Sequence, residues 1–201
     1  MGAENKIDCL FLITKNSGKT YQKLSVTYSA IEPPTWALLL AQSMRAVGNE
    51  VRILDANAED LSKEDILKQI TLFSPRLICF VVYGQNVNAG TTSMSGATIL
   101  SKYFKEDNIL KPIVYVGSHV QALPEETLKK EKSIDIVFTN EGVYALQNLL
   151  KEDIDFREYN KINGIAYRDL NMEIKINKPE KIVPQDRMDT DLPGYAWDLL
   201  P

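Results

Sequence analysis

Few side chains in this 201-residue chain can do covalent or metal chemistry: it has one histidine, His119, and two cysteines, Cys9 and Cys79. A single imidazole excludes any scheme that needs two histidines, and two thiols cannot build a four-cysteine metal site. Both cysteines lie inside apolar runs rather than at turns, so free thiols in a reducing compartment are expected. Gly18-Lys19-Thr20 imitates the end of a phosphate-binding P-loop, but that pattern needs glycine where Ile13 stands. No Gly-x-Gly-x-x-Gly follows any expected strand, so Asp55 reads as a strand-end or capping acid rather than a ribose ligand. Without a Gly-x-Ser-x-Gly elbow, Ser118 and His119 make a poor hydrolase pair. What is left is hydrogen bonding. The stretch Tyr83-Gly84-Gln85-Asn86-Val87-Asn88-Ala89-Gly90-Thr91-Thr92-Ser93 carries amides and hydroxyls that suit a neutral ligand, and is too long for a minimal strand-to-helix turn. Thr91 or Thr92 also reads as the N-cap of the helix that follows.

The elements that must position these groups follow from periodicity. Short apolar runs at residues 7–13, 51–54, 77–83, 112–116 and 134–138 read as five buried strands. Helical spacing separates them: Trp36, Leu39, Leu40 and Val47 up to a stop at Gly48, then Ile66, Ile70 and Leu72 behind the capping Ser62 and ahead of Pro75. Further helices carry Met94, Ala97, Leu100 and Phe104, then start at Pro124, and span residues 143–150. Strands alternating with helices imply a doubly wound (Rossmann- or flavodoxin-like) α/β fold, a five-stranded parallel sheet with helices on both faces. Ligands in such sheets bind beyond the carboxyl ends of the strands, which selects the loops at 14–34, 84–93, 117–123 and 140–142. The α/β unit is expected over residues 1–152. Residues 153–201 read as a β-hairpin (164–167 and 173–176) and a proline-containing linker with no core of its own.

Composition sets outer bounds. With 44% hydrophobic and 25% charged residues and a net charge of −4, a normal core is expected and nucleic acid or an anionic membrane is not the main partner. Lys129, Lys130 and Lys132 cluster around Glu131 and read as a solvated helix end. The longest apolar run, residues 77–83, is far short of the roughly 20 residues of a membrane span, and a cytoplasmic protein is expected.

Seven short motifs occur in a fixed order: Glu32-Pro33-Pro34, Val51-x-Ile53-x-Asp55-Ala56-Asn57-Ala58-Glu59, Gly117-Ser118-His119, Leu123-Pro124-Glu125-Glu126, Asn140-Glu141-Gly142, Ile162-Asn163-Gly164-Ile165-Ala166-Tyr167-Arg168 and Ala196-Trp197-Asp198-Leu199-Leu200-Pro201. Together they resemble the N-terminal cobalamin-binding domain of B12-dependent radical SAM enzymes over nearly the whole chain. The resemblance implies cobalamin (vitamin B12) as cofactor and a radical SAM domain C-terminal to this chain as partner. The iron-sulfur cluster and S-adenosylmethionine would belong to that domain, because the C-x-x-x-C-x-x-C triplet is absent here. It implies methyl transfer or cyclisation by the whole enzyme, with no complete active site in this chain. The Asp-x-His-x-x-Gly motif that supplies a lower cobalt ligand in other cobalamin proteins is also missing, so the resemblance implies base-off binding without histidine on cobalt. The cofactor-binding residues it implies are Pro33 and Pro34; Tyr83, Gly84, Gln85, Asn86, Asn88, Thr91, Thr92 and Ser93; Gly117, Ser118, His119 and Leu123; and Asn140, Glu141 and Gly142. The competing reading is a flavodoxin-like or receiver-like regulatory module. A receiver needs acids where Thr14, Lys15 and Tyr83 stand, and a flavodoxin needs a helix opening directly after strand one, where Pro33 and Pro34 place it much later.

Overall fold

A computed structural model of the protein describes residues 6–15, 32–83, 87–151 and 159–201, with the backbone alone described at 87–92. Seven strands form one sheet in the order β2-β1-β3-β4-β5-β6-β7. The first five, β1 (Cys9–Ile13), β2 (Val51–Asp55), β3 (Leu77–Val81), β4 (Ile113–Val116) and β5 (Ile136–Phe138), are parallel. The hairpin strands β6 (Ile165–Arg168) and β7 (Ile174–Ile176) are antiparallel and extend the same sheet past β5. The expected five-stranded sheet with a separate hairpin is therefore corrected to seven strands. The backbone groups of β5 that a sheet edge would leave open are paired by β6, Val137 facing Ala166.

Side chains alternate across the sheet, so each strand feeds two cores. Phe11, Cys79, Val114, Val116 and Phe138 face one side, covered by helices α1 (Thr35–Ala46) and α6 (Val143–Lys151). Leu10, Phe80, Tyr115 and Val137 face the other, covered by α2 (Lys63–Phe73), α3 (Val87–Glu106) and the short α4 (Ser118–Ala122) and α5 (Pro124–Lys130). Local signals hold at three helix ends. Ser62 Oγ accepts the Asp65 N–H at 3.1 Å, Pro124 opens α5, and Gly48 takes φ +87° just past α1, where a left-handed residue ends a helix. Asp55 caps its own turn, accepting the Asn57 and Ala58 N–H groups. Glu125–Lys129 and Glu126–Lys130 pair one turn apart on exposed α5, which accounts for the lysine cluster. Cys9 and Cys79 are free and buried, and burial pushes the Cys9 thiol up.

One helix starts elsewhere than expected. Helix α3 begins at Val87, so Asn88, Thr91, Thr92 and Ser93 lie inside it, and neither threonine is an N-cap. The buried stripe of Met94, Ala97, Leu100 and Phe104 imposes the helix on a segment whose glycine, asparagine and threonines favour other conformations.

Residues 179–201 run back across the α1/α6 face as a strap that includes the short helix α7 (Met188–Asp191). Ala196 is fully buried and its N–H donates to the Leu38 carbonyl at 3.3 Å. Ser43 Oγ donates to the Asp191 carbonyl at 2.6 Å, and Arg45 pairs with Asp198. Val183, Leu192, Leu199 and Leu200 pack on the core that the sequence alone did not assign to this segment. On the opposite side of the sheet's far end, the Arg168 guanidinium donates to the carbonyls of Leu128, Glu131 and Ile134, at the end of α5 and just beyond it.

The strap's polar clamp sets a pH window. The Arg187 guanidinium and the Tyr144 hydroxyl hold the Asp191 carboxyl down at about 2, while burial and then Asp191 itself push the Tyr144 phenol up to about 12. A depressed carboxylate stabilises above its unfolded pKa of about 4, and a raised phenol stabilises below about 10. The near-UV circular dichroism of the tilted Tyr195–Trp197 pair is expected to hold from about pH 4 to 10, failing as pH falls toward 2 or rises toward 12.

Candidate functional site

Parallel pairing points the carboxyl ends of β1 to β5 at one edge, and the order reverses between β1 and β3, the crevice where doubly wound sheets bind ligands. Three observations describe that edge. First, glycines bring backbones together. A Cβ on Gly117 would lie 2.5 Å from the Val82 carbonyl oxygen, so the turn after β4 sits flush on the end of β3. Gly142 holds φ +86° against Phe138 and Val116. Gly96 on α3 faces the Lys15 carbonyl oxygen, 2.2 Å from where its Cβ would be, which draws α3 down onto the segment after β1.

Second, an aromatic pair stands on the α1/α6 side. Trp36, in the first turn of α1 beside Pro33 and Pro34, packs on Tyr83 with ring centroids 5.2 Å apart. Its indole Nε1 donates to the Glu141 carbonyl at 3.1 Å, crossing from α1 to the loop after β5. Burial, and then the nearby Glu141 carboxylate, push the Tyr83 phenol up to about 12. Asn140 Oδ1 accepts the Gly142 N–H at 3.0 Å, folding the loop on itself.

Third, a groove of about 360 Å³ opens on the other side, between α3 and the α4–α5 pair. Ser95, Thr98, His119 and Thr127 give it hydroxyl and imidazole groups, and Met94, Ile99 and Leu123 give it an apolar wall. Thr127 Oγ1 is buried without a hydrogen-bond partner.

The residues named from the sequence thus fall into two groups. Tyr83, Asn140, Glu141 and Gly142 converge, with Pro34 at the adjoining end of α1. His119 and Leu123 line the groove, with Ser93 beside its Met94, while Gly117 packs on Val82 next to Tyr83 and Ser118 opens α4 before His119. Gly84, Gln85 and Asn86 lie outside the described residues, as do the side chains of Asn88, Thr91 and Thr92. Trp36 and Gly96 are the additions. Helical spacing makes Trp36 look like core, and a glycine in mid-helix carries no signal until the opposing backbone is known.

A sequence profile for the B12-binding domain matches residues 22–150. The chain belongs to the B12-binding domain family. A Pyrococcus horikoshii protein described as an uncharacterized methyltransferase is 31% identical over 169 residues, 84% of this chain and 34% of that protein. The anaerobic magnesium-protoporphyrin IX monomethyl ester cyclase of Rubrivivax gelatinosus is 26% identical over 171 residues, 83% of this chain and 30% of the cyclase. The chain thus spans about a third of the length of these curated relatives. Among solved structures, the cobalamin-dependent radical S-adenosylmethionine enzyme OxsB, with aqua-cobalamin and S-adenosylmethionine bound, superposes with a TM-score of 0.66 at 16% identity, over 96% of this chain and 24% of OxsB. TsrM, a radical S-adenosylmethionine methyltransferase from Kitasatospora setae with cobalamin and a [4Fe-4S] cluster bound, gives 0.61 at 16% identity, over 90% of this chain and 30% of TsrM.

Cobalamin is accordingly the cofactor of this B12-binding domain, and the donor set at the carboxyl edge fits it. Corrin side chains are neutral amides, and the edge offers hydroxyls, backbone N–H groups, an imidazole and aromatic faces. Among the described residues there is no cluster of three or more metal-ligating side chains to hold a separate ion. Nor is any described helix long and apolar enough to cross a membrane.

The close approach at Gly96 makes a direct test of how the edge is assembled. Gly96→Ala forces a methyl group into the Lys15 carbonyl and is expected to destabilise the fold by about 1–3 kcal/mol, whereas Ser95→Ala, exposed on the same turn, changes urea stability by less than about 0.5 kcal/mol.

Proposed function

We propose that this B12-binding domain is the cofactor-holding part of a larger B12-dependent radical SAM enzyme, a methyltransferase or a cyclase, and that it binds cobalamin base-off with no histidine on cobalt. The observation that carries this is the position of the chain's single histidine. His119 lies on α4 after β4, in the groove with Met94, Thr98 and Glu126, rather than in the loop after β1 where the ligating motif occurs in histidine-bound relatives. The larger enzyme is supported by relatives about three times as long, one a methyltransferase by description and one a cyclase.

In this reading the domain orients and shields. Backbone N–H groups at Gly117 and Ser118, the hydroxyls of Ser93 and Ser118 and the turn at Asn140-Glu141-Gly142 meet the cofactor's nucleotide tail and amides. Pro33, Pro34 and Tyr83 close the α1 side. Leu123 and His119 border the tail on the other side, and Gly84, Gln85, Asn86, Asn88, Thr91 and Thr92 complete the β3 side. Bound cobalamin would supply a cobalt centre able to carry a methyl group, and His119 would lie along its tail rather than serve as a ligand. In this reading the radical SAM cluster and S-adenosylmethionine belong to the partner domain.

The test is retention of hydroxocobalamin by the purified protein, followed by its visible spectrum. Retained corrin with a base-off spectrum that His119→Ala leaves unchanged is the expected result. Ser118→Tyr, which crowds the turn after β4, is expected to weaken retention by about tenfold or more, about 1.4 kcal/mol. No retained corrin, or a histidine-type spectrum lost in His119→Ala, would falsify the reading.

A further inference from the structure

The loop after β5 is held from outside the parallel sheet. Thr139 donates its N–H to the Gly164 carbonyl of the hairpin at 2.8 Å, and Asn140 Nδ2 donates to the Glu180 carbonyl of the strap at 3.1 Å. Glu180 is itself fixed, its Oε2 accepting from Asn148 Nδ2 on α6 at 3.2 Å. Glu141 works in two directions. Its carboxylate Oε1 accepts the Val183 N–H of the strap at 2.6 Å, and its carbonyl accepts the Trp36 indole N–H. A chain of contacts therefore runs from strap to Glu141 to Trp36 to Tyr83, ending at the carboxyl edge.

The end of α1 needs such an anchor. Its N-cap position is Pro34, which makes no side-chain cap, and the Thr35 N–H bonds locally to the Pro33 carbonyl at 2.8 Å, so neither fixes the helix against the rest of the fold. Tertiary contacts must do so, and among the described residues Trp36 reaches another element from the first turn through a side-chain hydrogen bond. The Glu141 oxygen bonded to the strap is also committed away from any ligand.

We propose that the Glu141 side chain is a positioning group for cobalamin: its carboxylate ties the strap to the turn whose carbonyl holds Trp36, which fixes the Trp36–Tyr83 pair at the binding edge, so cofactor affinity depends on a side-chain contact made away from the cofactor. This rests on the cobalamin reading above and adds the strap to the binding unit.

Binding of hydroxocobalamin by equilibrium dialysis separates the alternatives. Glu141→Ala and Val183→Pro, which remove the acceptor and the donor of one contact, are each expected to weaken binding about tenfold, while Glu141→Gln, which keeps an acceptor, stays within about twofold of the parent. A second measurement reads the link without cofactor. In a Trp197→Phe background, where Trp36 is the remaining indole, Glu141→Ala should shift its emission to the red and Glu141→Gln should not. Parental affinity in Glu141→Ala overturns the proposal, and so does normal binding by Val183→Pro beside weak binding by Glu141→Ala, which would mean that the Glu141 carboxylate itself contacts the cofactor. An unshifted Trp36 emission in Glu141→Ala overturns the link itself. Should the parent protein retain no cobalamin, the functional reading falls and this role falls with it, while the emission result still decides whether Glu141 holds Trp36.

Discussion

Five parallel strands impose one constraint from which the site follows: each must re-enter the sheet from the same end, so every strand-to-helix loop collects at a single edge. Because β1 pairs with both β2 and β3, the chain winds in opposite senses on its two sides, and helices α1 and α6 part from α2, α3 and α5 above that point. The crevice is a consequence of winding and needs no ligand to open it. What the sequence adds is how closely the rims approach, and here glycine decides, since Gly96 and Gly117 meet opposing carbonyls at distances no Cβ would allow.

The two rims are built differently. On the α3 side the groove is lined by hydroxyls over a buried polar cluster in which Tyr115 donates to Ser101 and Ser101 pairs with Ser133. Fully satisfied polar clusters of this kind rigidify a core. On the α1 side the rim depends on contacts with distant chain: Trp36 with Glu141, Leu38 with Ala196, Ser43 with Asp191. One rim is set by its own helices, the other by the end of the chain.

That contrast explains what is legible in the sequence. Buried parallel strands are near-continuous apolar runs, so residues 77–81 announce β3 without help, and Ser62, Pro124 and Gly48 mark helix ends by local chemistry. The start of α3 is illegible because Asn88, Gly90 and the threonines oppose a helix that only the packing of Met94 and Ala97 enforces. The hairpin is visible but its docking on β5 is not, since pairing partners leave no mark in either strand. Of the site, the loops and the cofactor are legible, the first from the alternation of strands and helices and the second from the ordered motifs. Glu141 is named from its motif, yet its bond to Val183 spans 42 residues and has no local signature.

Arg168 draws the last consequence. Its guanidinium, partly desolvated, gathers three carbonyl oxygens at the end of α5 and just beyond it, where a helix concentrates partial negative charge. It does so from β6, beyond residue 150, where the family profile stops. The stretch recognised as a family and the stretch built into one sheet and its cores are therefore different lengths of the same chain. Cutting at the recognisable boundary would leave α5 without its cation and β5 with an unpaired edge, the kind of open strand to which another chain can add.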